Sequence, residues 1–255
     1  MSENIEIGTE GGVLTLTFAR PAKKNALTNA MYGELADALE KAAPDSAVRV
    51  VLFRGEGDMF TSGNDIGDFA AAAMGGEPPT NVLRFLRALS TFPKPVVAAV
   101  QGRAVGIGTT MLLHCDYVVL ADDAKLSTPF VGLALVPEAA SSLLLPARIG
   151  HARAFAMFAL GESVAANDAV AWGLANRVVP LAGLAGAASE IVAKLVKLPL
   201  GSLVATKKLM KNAEATLAHM DVESAEFVAR LATAEAREAF TAFAERRTPD
   251  FSKLG

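Results

Sequence analysis

What most limits the architecture of this chain is a set of three short runs rich in β-branched residues, at positions 48–53, 96–100 and 117–120. Runs of that kind suit strands covered on both faces, as in a parallel sheet. Residues 13–18 behave differently, alternating apolar with polar or small groups as a strand with one buried face does, and they end at Arg20-Pro21. Thr28 then caps a helix through Lys41, because Met31, Leu35, Ala38 and Leu39 recur at helical spacing and Pro44 stops it. After Leu133 the strand signals thin to residues 177–180, while alanine-rich helical patterns fill 165–172 and 184–198. From Ser202 to Arg247 the apolar residues, Phe227, Leu231, Phe240 and Phe243 among them, predict amphipathic helices with one face to bury. Subunit packing is a natural use of that face. Residues 70–79 read as a loose connection bordering a substrate pocket.

At 255 residues and 52% hydrophobic, the chain suffices for one large domain with a helical extension. A formal net charge of -3, with no run of like charge, offers no footprint for nucleic acid or an anionic membrane. Cys115 is the lone cysteine and no Cys/His cluster suggests a metal, so a reducing compartment is expected. The opening MSENIEIGTE has none of the basic, apolar and small-residue parts of a secretory signal. No apolar stretch reaches the roughly 20 residues that span a bilayer. The expectation is a cytoplasmic protein with neither a membrane nor a nucleic-acid partner.

Three segments can carry chemistry. In Phe60-Thr61-Ser62-Gly63-Asn64-Asp65-Ile66, glycine permits a tight turn that aims the amide of Asn64 into a cavity; an Asx-type turn capping the next helix fits the same residues. Residues 101–108, QGRAVGIG, leave a β-branched run and enter a helix reaching about Cys115, so free amides at its start can stabilise an oxyanion; a glycine turn needed only for close packing fits as well. No G-K-[ST] follows, and Met111 stands where a dinucleotide fingerprint would want its third glycine. In the third segment Glu138 is a single carboxylate after a long uncharged run, with Pro137 placed for the first turn of a helix. It is either a solvated helix-start charge or a partly buried acid with a raised pKa. His114, His151 and His219 have no ligand-like spacing, and Asp116 reads as a structural acceptor of backbone donors.

The order of Arg20-Pro21 with Lys24-Asn25-Ala26-Leu27, then Phe60 to Asp65, then residues 94–102, then Cys115-Asp116 and residues 173–179, resembles the crotonase (enoyl-CoA hydratase/isomerase) superfamily. The resemblance implies an α/β fold, a spiral of ββα units with a C-terminal helical region that forms trimers. Residues 1–198 would be the spiral core with the CoA and acyl site, and 199–255 the oligomerising helices. The implied partners are an acyl-CoA substrate and further copies of the chain, as a homotrimer or a dimer of trimers. No cofactor is implied beyond the coenzyme A of the substrate, and no metal.

By the same resemblance, the thioester oxygen rests on the backbone amides of Asn64 and Ile107. Lys23, Lys24, Ala26, Leu27, Ser62, Gly63, Asp65, Ile66, Gly106 and Phe130 would contact substrate or CoA. The two glutamates of the family's hydratases align with Thr110 and Phe130, which cannot transfer protons as carboxylates do. Ser127-Thr128-Pro129-Phe130 followed by Val136-Pro137-Glu138 is similar instead to the Δ3,Δ2-enoyl-CoA isomerases, with Glu138 at their single base. The implied activity is isomerisation of 3-enoyl-CoA to trans-2-enoyl-CoA in fatty acid degradation; the alternatives are hydration or another crotonase-type reaction, and acyl-CoA binding without catalysis.

Overall fold

A computed structural model describes residues 4–68 and 79–254. The loose connection expected at 70–79 lies, apart from Pro79, outside the described residues. β1 (Ile5–Glu10) and β2 (Val13–Phe18) form an antiparallel hairpin closed by Gly11-Gly12, both at positive φ (56° and 85°), which a two-residue hairpin turn favours. β2 then begins a parallel series with β3 (Val50–Gly55), β4 (Val96–Val100), β6 (Tyr117–Ala121) and β9 (Arg177–Val179), giving the sheet order β1-β2-β3-β4-β6-β9. The double burial expected of the central runs is met. Val51 and Phe53 pack into one core with Phe18, Phe60 and Phe85, while Val50, Leu52, Val97, Ala99 and Val119 meet Leu184, Ala188 and Val192 of the helix Leu184–Lys197 on the other face.

A smaller sheet runs β5-β7-β8, from β5 (Arg103–Val105), β7 (Lys125–Ser127) and β8 (Val164–Ala165). Single bridges, Thr61 to Ala104 and Leu27 to Asn64, continue the same parallel pairing outward from β5. Each pass of the chain therefore makes a long strand in the first sheet, turns, makes a short extended contact in the second layer, and leaves as a helix. The helix Asn29–Ala42 follows the Leu27 contact, with Thr28 accepting from the Met31 amide at 3.3 Å. Its buried Met31, Tyr32, Leu35 and Leu39 lie in one core cluster with Val82, Phe85, Leu86 and Leu89 of the helix Asn81–Ser90. At about 1.5–3 kcal/mol per fully buried large apolar side chain, that face alone fixes the pair.

The helix expected after Gly106 is only one turn, Ile107–Thr110, before the backbone tightens to a 3-10 turn at Met111–His114. Asp116 accepts from the Val96 amide at 2.8 Å and pairs with Lys207 at 2.5 Å, tying the helix Leu200–Met210 to the sheet end. The helices Ala213–Leu231 and Ala234–Glu245 start at Asn212 and Thr233, whose side chains accept from the amides of Ala215 and Ala236. Their Met220, Phe227, Leu231 and Phe240 enter the same core as the strands, so the face assigned to subunit packing is in large part buried within the chain itself. Among the described residues no helix is long and apolar enough to cross a membrane.

Candidate active site

Two glycines create the cleft. Gly63 has φ 93°, and a Cβ there would lie 2.8 Å from the Val105 carbonyl oxygen, so only glycine lets the 61–64 and 104–106 segments come this close. The Leu27 bridge uses the Gly63 carbonyl (2.9 Å) and the Asp65 amide (2.8 Å), which turns the amide of Asn64 away from Leu27. Gly106, at φ 56° and ψ -117°, is the residue before the short helix, and its carbonyl takes the amides of Thr109 and Thr110 at 2.9 and 3.0 Å. As first residue of that helix, Ile107 has an N–H without an intrahelical acceptor.

Nine of the residues expected at the site, Lys23, Ala26, Ser62, Gly63, Asn64, Asp65, Ile66, Gly106 and Phe130, line one cavity of about 910 Å³. Ile107 follows Gly106 directly, with its side chain buried beneath the wall. Two do not line it. Lys24 caps the 3-10 turn Pro21–Lys23 in a left-handed conformation that sends its ammonium outward to Asp58, 2.7 Å away, and Leu27 is packed wholly into the core. Phe227, Phe240 and Phe243 close the cavity from the C-terminal helices. Their helical spacing was visible in the sequence, but not which surface they would meet.

Glu138 departs from the expected local structure. Neither it nor Pro137 is helical; Ala139 and Ala140 follow in left-handed backbone (φ 64° and 54°), and the helix begins only at Ser141. The side chain is 8% exposed and lines a smaller apolar cavity of about 260 Å³, with Val82, Leu83 and Leu86 on one side and Phe227, Val228 and Leu231 on the other. Phe227 belongs to both cavity walls. Burial pushes the Glu138 carboxyl up to about 8, and the charge of Glu223 adds to this, while a hydrogen bond from the Asn64 side chain pulls the other way. Tyr32 donates its hydroxyl to Asn64 Oδ1, so the bond to Glu138 comes from the amide nitrogen of Asn64.

Other acids and bases near the cleft are engaged elsewhere. Burial would raise Asp65, but the hydrogen bond from Arg20 (2.6 Å), the amide of Gly67 (3.0 Å) and the Arg20 charge outweigh it and hold its carboxyl below the usual range. Thr110 is fully buried, and Phe130 sits against Phe158 with ring centroids 6.1 Å apart. His114, pushed down to about 4 by burial, is neutral and meets the Ala139 carbonyl at 2.8 Å. Tyr32 and Glu223 were not singled out by the sequence; neither stands in a recognisable motif, and only the fold brings them to Asn64 and Glu138.

Known proteins resemble this chain over nearly its whole length. The Enoyl-CoA hydratase/isomerase family pattern matches residues 8–253. The chain is 37% identical to enoyl-CoA delta isomerase 2 of Rattus norvegicus over 96% of its own length, but spans only 64% of that protein. It is 34% identical to 1,2-epoxyphenylacetyl-CoA isomerase of Escherichia coli, over 99% of both chains. A crystal structure of an enoyl-CoA hydratase/isomerase from Pseudoalteromonas atlantica superposes with a TM-score of 0.91 at 40% identity, covering 98% of this chain and 100% of that one. With its two-layer spiral, its glycine-built cleft and a match over nearly its whole length, this chain belongs to the enoyl-CoA hydratase/isomerase family and has the crotonase fold.

Proposed function

We propose that the protein isomerises 3-enoyl-CoA to trans-2-enoyl-CoA. The observation that carries this reading is Glu138, a buried carboxyl with its pKa raised to about 8 that lines the smaller cavity and takes a hydrogen bond from the side chain of Asn64, a residue of the larger one. A hydratase needs acid and base to position and protonate water, and the positions matching the family's two glutamates are Thr110 and Phe130. One proton-carrying acid suffices for isomerisation. In its ionised form Glu138 takes the proton from C2, the thioester oxygen of the dienolate rests on the amides of Asn64 and Ile107, and the Glu138 acid so formed returns the proton at C4, regenerating the carboxylate. Bonds and charge balance with no redox step, so coenzyme A enters only as part of the substrate. Two amides aimed at the developing charge supply the main stabilisation, about 3 kcal/mol of barrier for each donor. The name of the rat relative, an enoyl-CoA delta isomerase, supports the reading. A homotrimer, or two such trimers stacked, is the assembly we propose, with exposed Leu209 and Met210 (89% and 80% accessible) available for packing between copies.

The test is incubation with paired 3-enoyl-CoA and 2-enoyl-CoA substrates, following products by absorbance and mass. Conversion of the 3-enoyl thioester at unchanged mass is expected, and a product heavier by one water would make the chain a hydratase instead. Glu138→Gln should lose about 10²–10⁴-fold in turnover; unaltered turnover removes Glu138 from the mechanism.

A further inference from the structure

Behind Glu138 lies a second carboxyl that the isomerisation does not use. Glu223 projects from the helix Ala213–Leu231 and is 6% exposed. Its Oε1 accepts from the Ser142 amide at 2.8 Å and the Ser142 hydroxyl at 2.5 Å, and the Ala140 amide donates to the same carboxylate. These donors belong to the turn that presents Glu138. Ala139 and Ala140 hold a left-handed backbone that alanine disfavours, so something outside the turn has to keep it. His114 holds the Ala139 carbonyl from one side and Glu223 holds the following amides from the other. A left-handed residue followed by a helical one turns successive amides to a common side, a natural seat for a carboxylate.

The same placement separates the two acids electrically. Glu223 has amide and hydroxyl donors, and His219 meets Ser142 Oγ at 2.8 Å, with its ring 3.7 Å from Glu223. Each acid keeps one buried oxygen, Glu138 Oε1 and Glu223 Oε2, with no hydrogen-bond partner among the described residues, so the difference between them lies in the donors to the other oxygen. Burial raises the Glu223 carboxyl too, but the Ser142 donors, the His219 charge and the Ala140 amide oppose that rise, whereas at Glu138 only the Asn64 side chain does. Of two buried carboxyls that act on one another, the one with more donors takes the charge and the other the proton. The titratable groups around Glu138 are Tyr32 from the helix Asn29–Ala42, Asp68 acting alongside Glu138 on Tyr32, and Glu223 with His219 behind it; the helix Asn81–Ser90 contributes apolar side chains.

We propose that Glu223 is a positioning residue for Glu138, clamping the Ala139–Ala140 turn that aims it and placing beside it a negative charge that strengthens its hold on the proton it carries from C2 to C4. This inference rests on the assignment of Glu138 as the proton carrier, and the test separates the two. A ¹³C-carboxyl NMR titration of the substrate-free protein reads Glu138 without any turnover, and pH profiles of kcat and KM for 3-enoyl-CoA read the consequence. Glu223→Gln keeps an oxygen for the Ser142 amide and removes the charge, so the Glu138 midpoint and the acid limb of kcat/KM should both fall, by about 0.5 pH unit or more. Glu223→Ala also removes the clamp, and should lower kcat by about 10²-fold with KM little changed. A purely structural Glu223 would change melting temperature without moving the midpoint in the Gln variant. An unmoved midpoint, or full kcat in a folded Ala variant, overturns the proposal. Should Glu138→Gln remain active while Glu223→Gln still moves the Glu138 midpoint, the catalytic reading fails and the coupling of the two carboxyls stands.

Discussion

Replacing Gly63 by alanine tests the cleft where its construction is tightest. The added Cβ would meet the Val105 carbonyl oxygen at 2.8 Å, where ordinary contact begins at 3.4 Å, so the two segments must part by about 0.6 Å or the peptide must rotate. On the proposed mechanism, either movement carries the Asn64 amide off the oxyanion position it would share with Ile107. An oxyanion donor works only within about 2.7–3.1 Å of the developing charge, and losing one costs about 2.7–4 kcal/mol, or 10²–10³ in kcat. Alanine at φ 93° adds backbone strain of about 1–2 kcal/mol, which in a domain of this size lowers the melting temperature by roughly 2–8 °C. Steady-state kinetics with 3-enoyl-CoA, alongside a thermal melt, distinguishes the effects. The control is Gly173→Ala, at φ 83° with nothing within 4 Å of its Cβ, which should share the strain and keep kcat. A folded Gly63→Ala variant with kcat near wild type would mean that these amides do not hold the reacting oxygen.

Two further outcomes follow from the same site. The folded protein holds the Glu138 proton up to about pH 8, whereas the unfolded chain releases it near 4.5, so the associated stability is complete below 4.5 and is lost as pH rises through 8. Differential scanning calorimetry should therefore show the melting temperature of wild type falling between pH 5 and 8 relative to Glu138→Gln, and parallel curves would contradict a buried, proton-holding acid. Tyr32→Phe removes the hydroxyl that fixes Asn64 Oδ1, freeing the amide to turn away from Glu138. At about 1 kcal/mol for such a bond, kcat should fall roughly fivefold with KM unchanged, and a change confined to KM would count against this orientation.

The parts of this molecule legible in its sequence are those whose cause is local. β4 announces itself because all five of its residues are buried and three of them are valine. Thr28 caps its helix through an atom three residues from the amide it serves, and Gly63 and Gly106 mark places where other residues would be strained. β1 is hidden because five of its six residues are exposed and its pairing comes from the Gly11-Gly12 turn and from β2. β5, β7 and β8 have only two or three residues each, and their pairing partners come from separate passes of the chain.

Glu138 lies between these extremes. Its isolation among apolar neighbours was visible, and so was a helix nearby, but the left-handed Ala139-Ala140 turn was not. Alanine carries no signal for that conformation, which depends on His114 twenty-five residues earlier and on Glu223, whose bond to Ser142 spans eighty-one residues. The same distance explains why the spacing of Phe227, Phe240 and Phe243 does not reveal the cavity they line: a helix periodicity tells which side chains seek cover and is silent about what covers them. On the proposed mechanism, a site whose backbone donors are encoded by nearby glycines, and whose acid is aimed and tuned by distant residues, can keep its oxyanion geometry while its proton chemistry is retuned. The fold and the family match over residues 8–253 assign the chain to its family, and on that mechanism the groups around Glu138 set which reaction it performs.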